Sequence, residues 1–409
     1  MNQERPQLSV PPEAEWGPTF DVGRATDAYI ATIPAADREK SDDYYEGGYW
    51  IEAWGTLITV GLCVLLLRLR FAARLRDFVA ARGRGPWLQS LIVAAGFFLA
   101  LSILSLPWAL YTDFYREHDY GMSNHTLGGF IGEWTLMTVI SVAVLGLAVS
   151  GIYRLVSRVR ERWALWATAI TAVFILFIFT VQPVVLDPLF NDYKPLPAGE
   201  VRDSILALAQ EAKVPVDDVY WFDASKQTKR ISANVSGLGG TARIALDDNL
   251  LNGTSLPEIR AVMGHEMGHY RLNHGIKLGI GFTLVLGIGY FAISRAFGRL
   301  QRRHGDRFAI RDIADPAGLP LAFAIFAVVM YLLTPFTNTM VRVAEVQADA
   351  FGLDAAQEPH GFASVAMRLS TYRKLEPGAL EEAIFYDHPS GWARVERAMR
   401  WLADNPPQR

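Results

Sequence analysis

The chain has 409 residues, 51% of them hydrophobic, and 39 Lys and Arg stand against 42 Asp and Glu. A formal net charge of −3, with no basic patch interleaved with aromatic residues, argues against a nucleic-acid partner. The one cysteine, Cys63, lies in an apolar run and can form no intrachain disulfide, so cysteine usage leaves the redox compartment open.

The opening MNQERPQLSV lacks the basic patch and apolar core of a cleavable signal peptide. Met1–Gly48 as a whole is polar and contains prolines, and reads as a tail or a cap. Beyond it, six windows approach the run of about 20 apolar residues that a membrane span needs. They are roughly Ile51–Leu67, Leu88–Tyr111, Ile131–Ile152, Trp163–Leu186, Ile276–Ala296 and Leu319–Pro335. Tyr49, Trp50, Trp108, Tyr111, Trp163 and Trp166 mark their ends, where amphipathic rings favour the interface. Six such windows are hard to bury in one soluble globule, so the expected fold is mainly α: a polytopic membrane protein, with a bundle or barrel of about six helices in the bilayer. The first, third and fifth connections carry Arg68–Arg84, Arg154–Arg162 and Arg295–Arg311. Short basic loops stay in the cytoplasm, which predicts an extracytoplasmic side for the segments between Asp187 and Gly275 and after Pro335.

Asp187–Gly275 changes character. Val201–Lys213 has helical spacing, and Asp218–Asp223 and Thr241–Leu246 read as short strands. Ser232–Gly240 (SANVSGLGG) reads as a strand running into a glycine-rich turn. Ser255-Leu-Pro-Glu258 is a capping-box start for a helix expected to run to Asn273 or His274, with Gly275 as its stop.

That helix carries His265-Glu266-Met-Gly-His269. Residues four apart share a helical face, so both imidazoles can reach one metal ion. Glu266 is rotated about 100° from His265, near the ion but off the ligand pair. This placement suits a base that takes a proton from water activated by zinc, which lowers the pKa of bound water toward about 7. A third protein ligand is needed. Val343–Gly352 (VAEVQADAFG) places Glu345 and Asp349 four apart on one face. Glu345 is the candidate ligand and Asp349 the candidate partner for a ligand histidine's free N–H; alone, the pair reads rather as a solvated helix face, and the HEMGH run beside it reverses that reading. His274 follows His269 by five, on a different face of a continuous helix, and is expected to be a helix-end histidine.

These residues resemble the integral-membrane zinc endopeptidases of the CAAX prenyl protease type. HEMGHYRLNH and, about seventy residues later, EVQAD are joined in order by Pro107–Gly121, Asp187–Gly199 (DPLFNDYKPLPAG), Ala224–Leu251 and Tyr386–Arg394 (YDHPSGWAR). The resemblance runs from about Trp50 to about Trp401. That family has one more span near its N-terminus, where Met1–Gly48 here has no apolar window. The resemblance implies a helical membrane barrel around a chamber, closed at one end by a small α+β zinc-protease domain. It implies one Zn2+ held by His265, His269 and Glu345, with Glu266 as general base and proton donor to the leaving amine and Asp349 orienting a ligand. His388 would stabilise the oxyanion or hold the substrate carbonyl. Arg394 would support that segment or bind a substrate carboxylate, and Asn234 would lie on an edge strand that takes the peptide by main-chain hydrogen bonds. The expected partners are the bilayer and a peptide or protein substrate, prenylated or membrane-inserted.

On this reading the chain divides into a tail (1–48), four spans (49–186), a protease segment with the HEMGH helix (187–275), two spans (276–338), and a C-terminal segment with the third ligand and the His-Pro motif (339–409). The implied activity is removal of the C-terminal tripeptide of prenylated CAAX proteins. Quality control of membrane proteins without prenyl specificity is the alternative. A transporter reading needs acids within the spans, and the windows carry only Glu52 and Glu133, near their ends.

Overall fold

The computed structural model describes residues 5–237 and 242–407. The chain opens with α1 (Val22–Ala31), α2 (Ala35–Arg68), α3 (Phe71–Ala80), α4 (Pro86–Ala109) and α5 (Arg116–Asp119). Next come α6 (Leu127–Val159) and α7 (Trp163–Val181). The protease portion begins with β1 (Tyr193–Pro195), α8 (Glu200–Glu211), β2 (Val219–Phe222), β3 (Ala233–Ser236), β4 (Arg243–Asp247) and α9 (Asp248–Gly253). The chain continues through α10 (Leu256–Arg271), α11 (His274–Phe308), α12 (Leu319–Ala356), α13 (Pro359–Leu369), α14 (Ala379–Phe385) and α15 (Gly391–Asp404).

Five helical stretches of the described residues are long and apolar enough to cross a membrane: Ala35–Arg68, Pro86–Asp119, Leu127–Leu189, His274–Phe308 and Pro316–Ala356. The third has 63 residues, about 95 Å at 1.5 Å per residue, about three times a hydrocarbon core. It makes two passes. Arg160 takes a left-handed φ of 43° between α6 and α7, and the chain reverses there. Gln227 ties the two far ends together, donating from Nε2 to Glu133 Oε1 at 2.7 Å and to the Phe190 carbonyl at 3.2 Å. Each of the six expected windows lies within one of these passes.

The arginine-bearing connections gather at the end away from the protease portion. Arg70 donates to the Arg307 carbonyl at 2.9 Å, and the buried Arg76 pairs with the buried Asp315. Removing one partner of such a pair leaves an uncompensated buried charge, so the Arg76–Asp315 pair fixes α3 against the α11–α12 connection.

Two helices belong to both portions. α12 has 38 residues, about 57 Å, so it crosses the bilayer and runs on into the protease portion; α2 does the same with its polar N-terminal half. The boundaries drawn at 48/49, 275/276 and 338/339 fall inside α2, α11 and α12. The N-terminal segment is docked: Ala14, Ala25, Tyr29 and Ile30 are buried in one cluster with Ala261 of α10 and with Phe362, Val395 and Met399 of the C-terminal helices.

The sheet has the order β1-β2-β4-β3. β2 and β4 are parallel, and β1 and β3 flank them antiparallel. β3 is therefore an edge strand. The expected glycine-rich turn after it includes Leu238–Gly240, which lie outside the described residues. α8, β2, β4 and α10 close a core around Ile205, Leu208, Ile244, Leu246, Ile259 and Met263, all fully buried.

Candidate active site

α10 begins as its sequence announces. The Ser255 N–H and hydroxyl both donate to Glu258 Oε2 at 2.7 Å, and Glu258 Oε1 accepts from Ser364 and Arg368. The start of the helix is thereby anchored to α13. Its end departs from expectation. Asn273, at φ 55° and ψ 38°, breaks the helix in the left-handed conformation, and α11 starts at His274 with Gly275 inside it. Asn enters this region more readily than other side-chain-bearing residues.

α10 crosses α12 at very close range through small residues. A Cβ on Gly352 would lie 2.7 Å from the His265 backbone nitrogen, and one on Gly264 would lie 2.9 Å from the Gly352 carbonyl oxygen. At Gly268 the nearest atoms, Ala348 Cα and O, would be 3.1 Å away. This approach carries Glu345 to the histidines. His265 Nε2 lies 3.2 Å from Glu345 Oε2, His269 Nε2 lies 3.2 Å from Glu345 Oε1, and the two Nε2 atoms are 3.1 Å apart.

The donor set fits a small divalent ion. His265, His269 and Glu345 each offer one ligand atom within 4.8 Å of the others. Four-coordinate zinc with bonds of about 2.0–2.1 Å separates its ligand atoms by about 3.3 Å, close to the spacings here. Glu345 Oε2 is shut off from solvent with no hydrogen-bond donor of good geometry, as suits an oxygen facing a cation. Burial alone would depress the pKa of His265, but hydrogen bonds to Asp349 and Glu345 outweigh it and raise it to about 10. The pocket favours positive charge at its centre.

Asp349, fully buried on α12, accepts from His265 Nδ1 at 2.8 Å. That bond directs Nε2 toward Glu345 and fixes the tautomer. Asp349 also pairs with Arg394 Nη2 at 2.6 Å and Arg397 Nη1 at 2.8 Å. The resemblance implies either support of its segment or a substrate carboxylate for Arg394, and here its guanidinium is engaged by Asp349. His388 Nε2 lies 3.3 Å from Glu345 Oε2, and its Nδ1 donates to Asp387 at 2.8 Å. The ring faces the centre and can donate from Nε2 when it carries its second proton. Glu266 is half-buried in the same cavity of about 170 Å³, with His265, Glu345, His388, Ser232 and Ala233. Burial raises its pKa, with the nearby histidines acting in the opposite direction. A raised carboxylate is a better base near neutral pH. Asn234 sits on β3 opposite Ala245 with a buried, unpartnered Oδ1; it does not line this cavity, whereas its neighbours Ser232 and Ala233 do.

Sequence reasoning missed His274. The left-handed turn at Asn273 swings it back, so that it is buried with Nδ1 3.0 Å from His269 Nδ1 and Nε2 3.0 Å from Gln347 Oε1. Because Gln347 Oε1 can only accept, Nε2 of His274 carries the proton and Nδ1 accepts from His269. His269 Nε2 is then left unprotonated and faces Glu345. The signal in the sequence was the Asn at 273, which permits the break.

The small cavity shares Ile231, Ser232, Tyr372 and Arg373 with a vestibule of about 900 Å³. The vestibule shares Glu52 with a cavity of about 880 Å³ among α2, α4, α11 and α12, lined by Phe282, Phe323, Phe326 and Met330. The three spaces form a series from the membrane interior to the histidines.

Two family descriptions match the chain: Peptidase family M48 over residues 195–402, and the CAAX prenyl protease N-terminal region of five membrane helices over residues 24–192. Among curated proteins, the "Uncharacterized metalloprotease YhfN" of Bacillus subtilis is 33% identical over 353 residues, 85% of this chain and 81% of that one. A "CAAX prenyl protease 1 homolog" of Oryza sativa is 27% identical over 304 residues, covering 74% and 71% of the two chains. The crystal structure of S. mikatae Ste24p is alike in fold, with a TM-score of 0.74 and 22% identity over 90% of this chain and 89% of that one.

Two substitutions probe the geometry. Gly352→Ala is expected to force α10 and α12 apart, at a cost of about 1–3 kcal/mol, and to weaken zinc binding along with it. A lowered melting midpoint with an unchanged zinc Kd by chelator competition would show that the crossing does not set the ligand spacing. His274→Ala is expected to weaken zinc binding by about 10- to 100-fold, the scale for a lost outer partner of a ligand, and the same competition titration reads it.

Proposed function

We propose that this chain, which belongs to peptidase family M48 and is a multi-pass membrane metalloendopeptidase, works with a single zinc ion held by His265, His269 and Glu345. The observation that carries this reading is the convergence of those three donors at 3.1–3.2 Å, with a buried carboxylate oxygen left without a hydrogen bond. Bound there, zinc would act as a Lewis acid on the scissile carbonyl and would make water a nucleophile at neutral pH.

The chain's own residues divide the remaining work. Glu266 takes the proton from the attacking water and returns it to the leaving amine nitrogen. His388, held at Nδ1 by Asp387, directs Nε2 at the developing oxyanion. Asp349 holds His265, backed by Arg394 and Arg397, and the His274–Gln347 chain holds His269. The substrate lies extended along the free edge of β3, pairing by main-chain hydrogen bonds, with Asn234 on that strand.

The substrate we propose is the C-terminus of a prenylated CAAX-type protein, cut after the modified cysteine. The support is the largely apolar intramembrane cavity in series with the vestibule: its Phe282, Phe323, Phe326 and Met330 offer an isoprenoid chain apolar walls beside the peptide's path. The test compares a farnesylated CAAX peptide with its unprenylated twin, using detergent-purified protein and Glu266→Ala as the blank. Preferential cleavage of the farnesylated peptide is expected, with kcat lowered by about 10²–10⁴-fold in the variant. Equal cleavage of both peptides would refute the prenyl preference and favour a broader task in membrane-protein quality control.

The protease portion faces away from the cytoplasm on this reading, because the arginine-bearing connections all lie at the opposite end. Cys63 is fully buried, so the native chain gives little labelling background. A cysteine at the exposed Glu211 is expected to react with an impermeant maleimide on intact cells, and one at the exposed Arg84 only after lysis. The reverse pattern would refute the orientation.

A further inference from the structure

Four arginines line the site cavity and the vestibule: Arg116, Arg230, Arg373 and Arg394. Three are already engaged. Arg116 donates to the Tyr44 carbonyl and lies over the Tyr44 and Tyr120 rings. Arg230 pairs with Glu117 at 2.7 Å and Arg394 with Asp349 at 2.6 Å. Arg373 differs. Among the described residues its guanidinium makes neither an ion pair nor a hydrogen bond, and its Cζ lies 5.9 Å from the Tyr372 ring centroid. Asp387, its acidic neighbour, is bonded to His388 at 2.8 Å. The adjacent Lys374, by contrast, is held by both Glu46 and Glu381. Arg373 is half-buried and lines both the cavity that holds His265, Glu266 and His388 and the vestibule beyond it.

A half-buried guanidinium without an anion is a poor structural element, because its donors are partly desolvated and unrepaid. It is a good receptor: its planar fork matches a carboxylate with two parallel hydrogen bonds. The vestibule wall also carries the acids Glu52, Asp113, Glu117, Glu133, Asp247 and Asp387, which disfavour acidic peptides in general and leave Arg373, with its free donors, as a position where an anion is welcome. A peptide leaving the catalytic centre in extended form covers about 3.3 Å per residue, so a carboxylate at the mouth of this cavity is only a few residues past the bond being cut.

We propose that Arg373 binds the free C-terminal carboxylate of the peptide substrate and so sets how far from the chain end the cut falls. The inference deepens the reading of the site as a peptidase acting near C-termini and rests on it. Arg373 is a specificity-determining residue: it touches the departing fragment and not the scissile bond.

The experiment measures kcat/KM of the purified, zinc-loaded protein on two peptides identical except that one ends in a free carboxylate and the other in an amide. The wild type is expected to favour the acid by about 10- to 100-fold, the scale of a charge-assisted hydrogen-bond pair, mainly through KM. In Arg373→Gln the ratio is expected to fall to about one, and Arg373→Lys to retain part of it. A wild type that cuts both peptides equally overturns the inference while leaving the peptidase reading intact, and this holds even if the variants fail to fold. A variant that loses both activities by one factor with the ratio preserved also overturns it, since that is the signature of a structural role. A wild type that cuts neither peptide overturns the inference and the reading beneath it together.

Discussion

The close crossing of α10 and α12 is the constraint on which the rest of the site depends. Gly264, Gly268 and Gly352, with Ala348 and Ala356 beside them, bring two helix backbones into contact where larger residues would hold them apart. Only at that separation can a short carboxylate at Glu345 reach both imidazoles. The HEMGH run thus has two functions on two faces of one helix. His265 and Glu266 line the cavity and His269 turns its Nε2 to Glu345, while Gly264 and Gly268 lie against the α12 backbone. The membrane takes part in this, since α12 is one continuous helix from the bilayer to Asp349 and its position is set by packing along its whole length.

Around that crossing the charges converge on one buried carboxylate. Asp349 is fully buried and would be costly alone; His265, Arg394 and Arg397 converge on it. Breaking such a buried ion pair by removing one partner costs about 3–5 kcal/mol, so the network ties α15 to the back of the catalytic helix. The two histidines are held differently. His265 leans on a carboxylate, while His269 leans on the neutral pair His274 and Gln347. Both arrangements leave an Nε2 lone pair toward the centre, and only one adds negative charge there.

The cavities show the same division of labour between membrane and protease portions. The membrane cavity is lined mainly by apolar and aromatic side chains with scattered hydroxyls, the vestibule is ringed by carboxylates and tyrosines, and the smallest space holds His265, Glu266 and His388. A substrate with an apolar anchor and a polar chain end meets the environment suited to each part in turn.

The sequence by itself determined the periodic and local features. Apolar runs of spanning length located the membrane passes, because the bilayer fixes how many residues a crossing needs. Ser255 and Glu258 located the start of α10, because a cap is a contact between near neighbours. The four-residue spacings of His265 with His269 and Glu345 with Asp349 placed each pair on one helical face. Only the tertiary structure decided what depends on meetings between distant segments or on a single backbone break. The left-handed turn at Asn273 moved His274 from a remote face to the side of His269, which no uninterrupted helix would allow. Motif resemblance left Arg394 two roles, support of its segment or contact with a substrate carboxylate, and Asp349, 45 residues away, engages it. Arg373 carries no motif, and its character comes from a guanidinium without an ion pair or hydrogen bond among the described residues, in a cavity where the other arginines are engaged. Local geometry is written in spacing, but which charges are neutralised is known only after the chain has closed on itself.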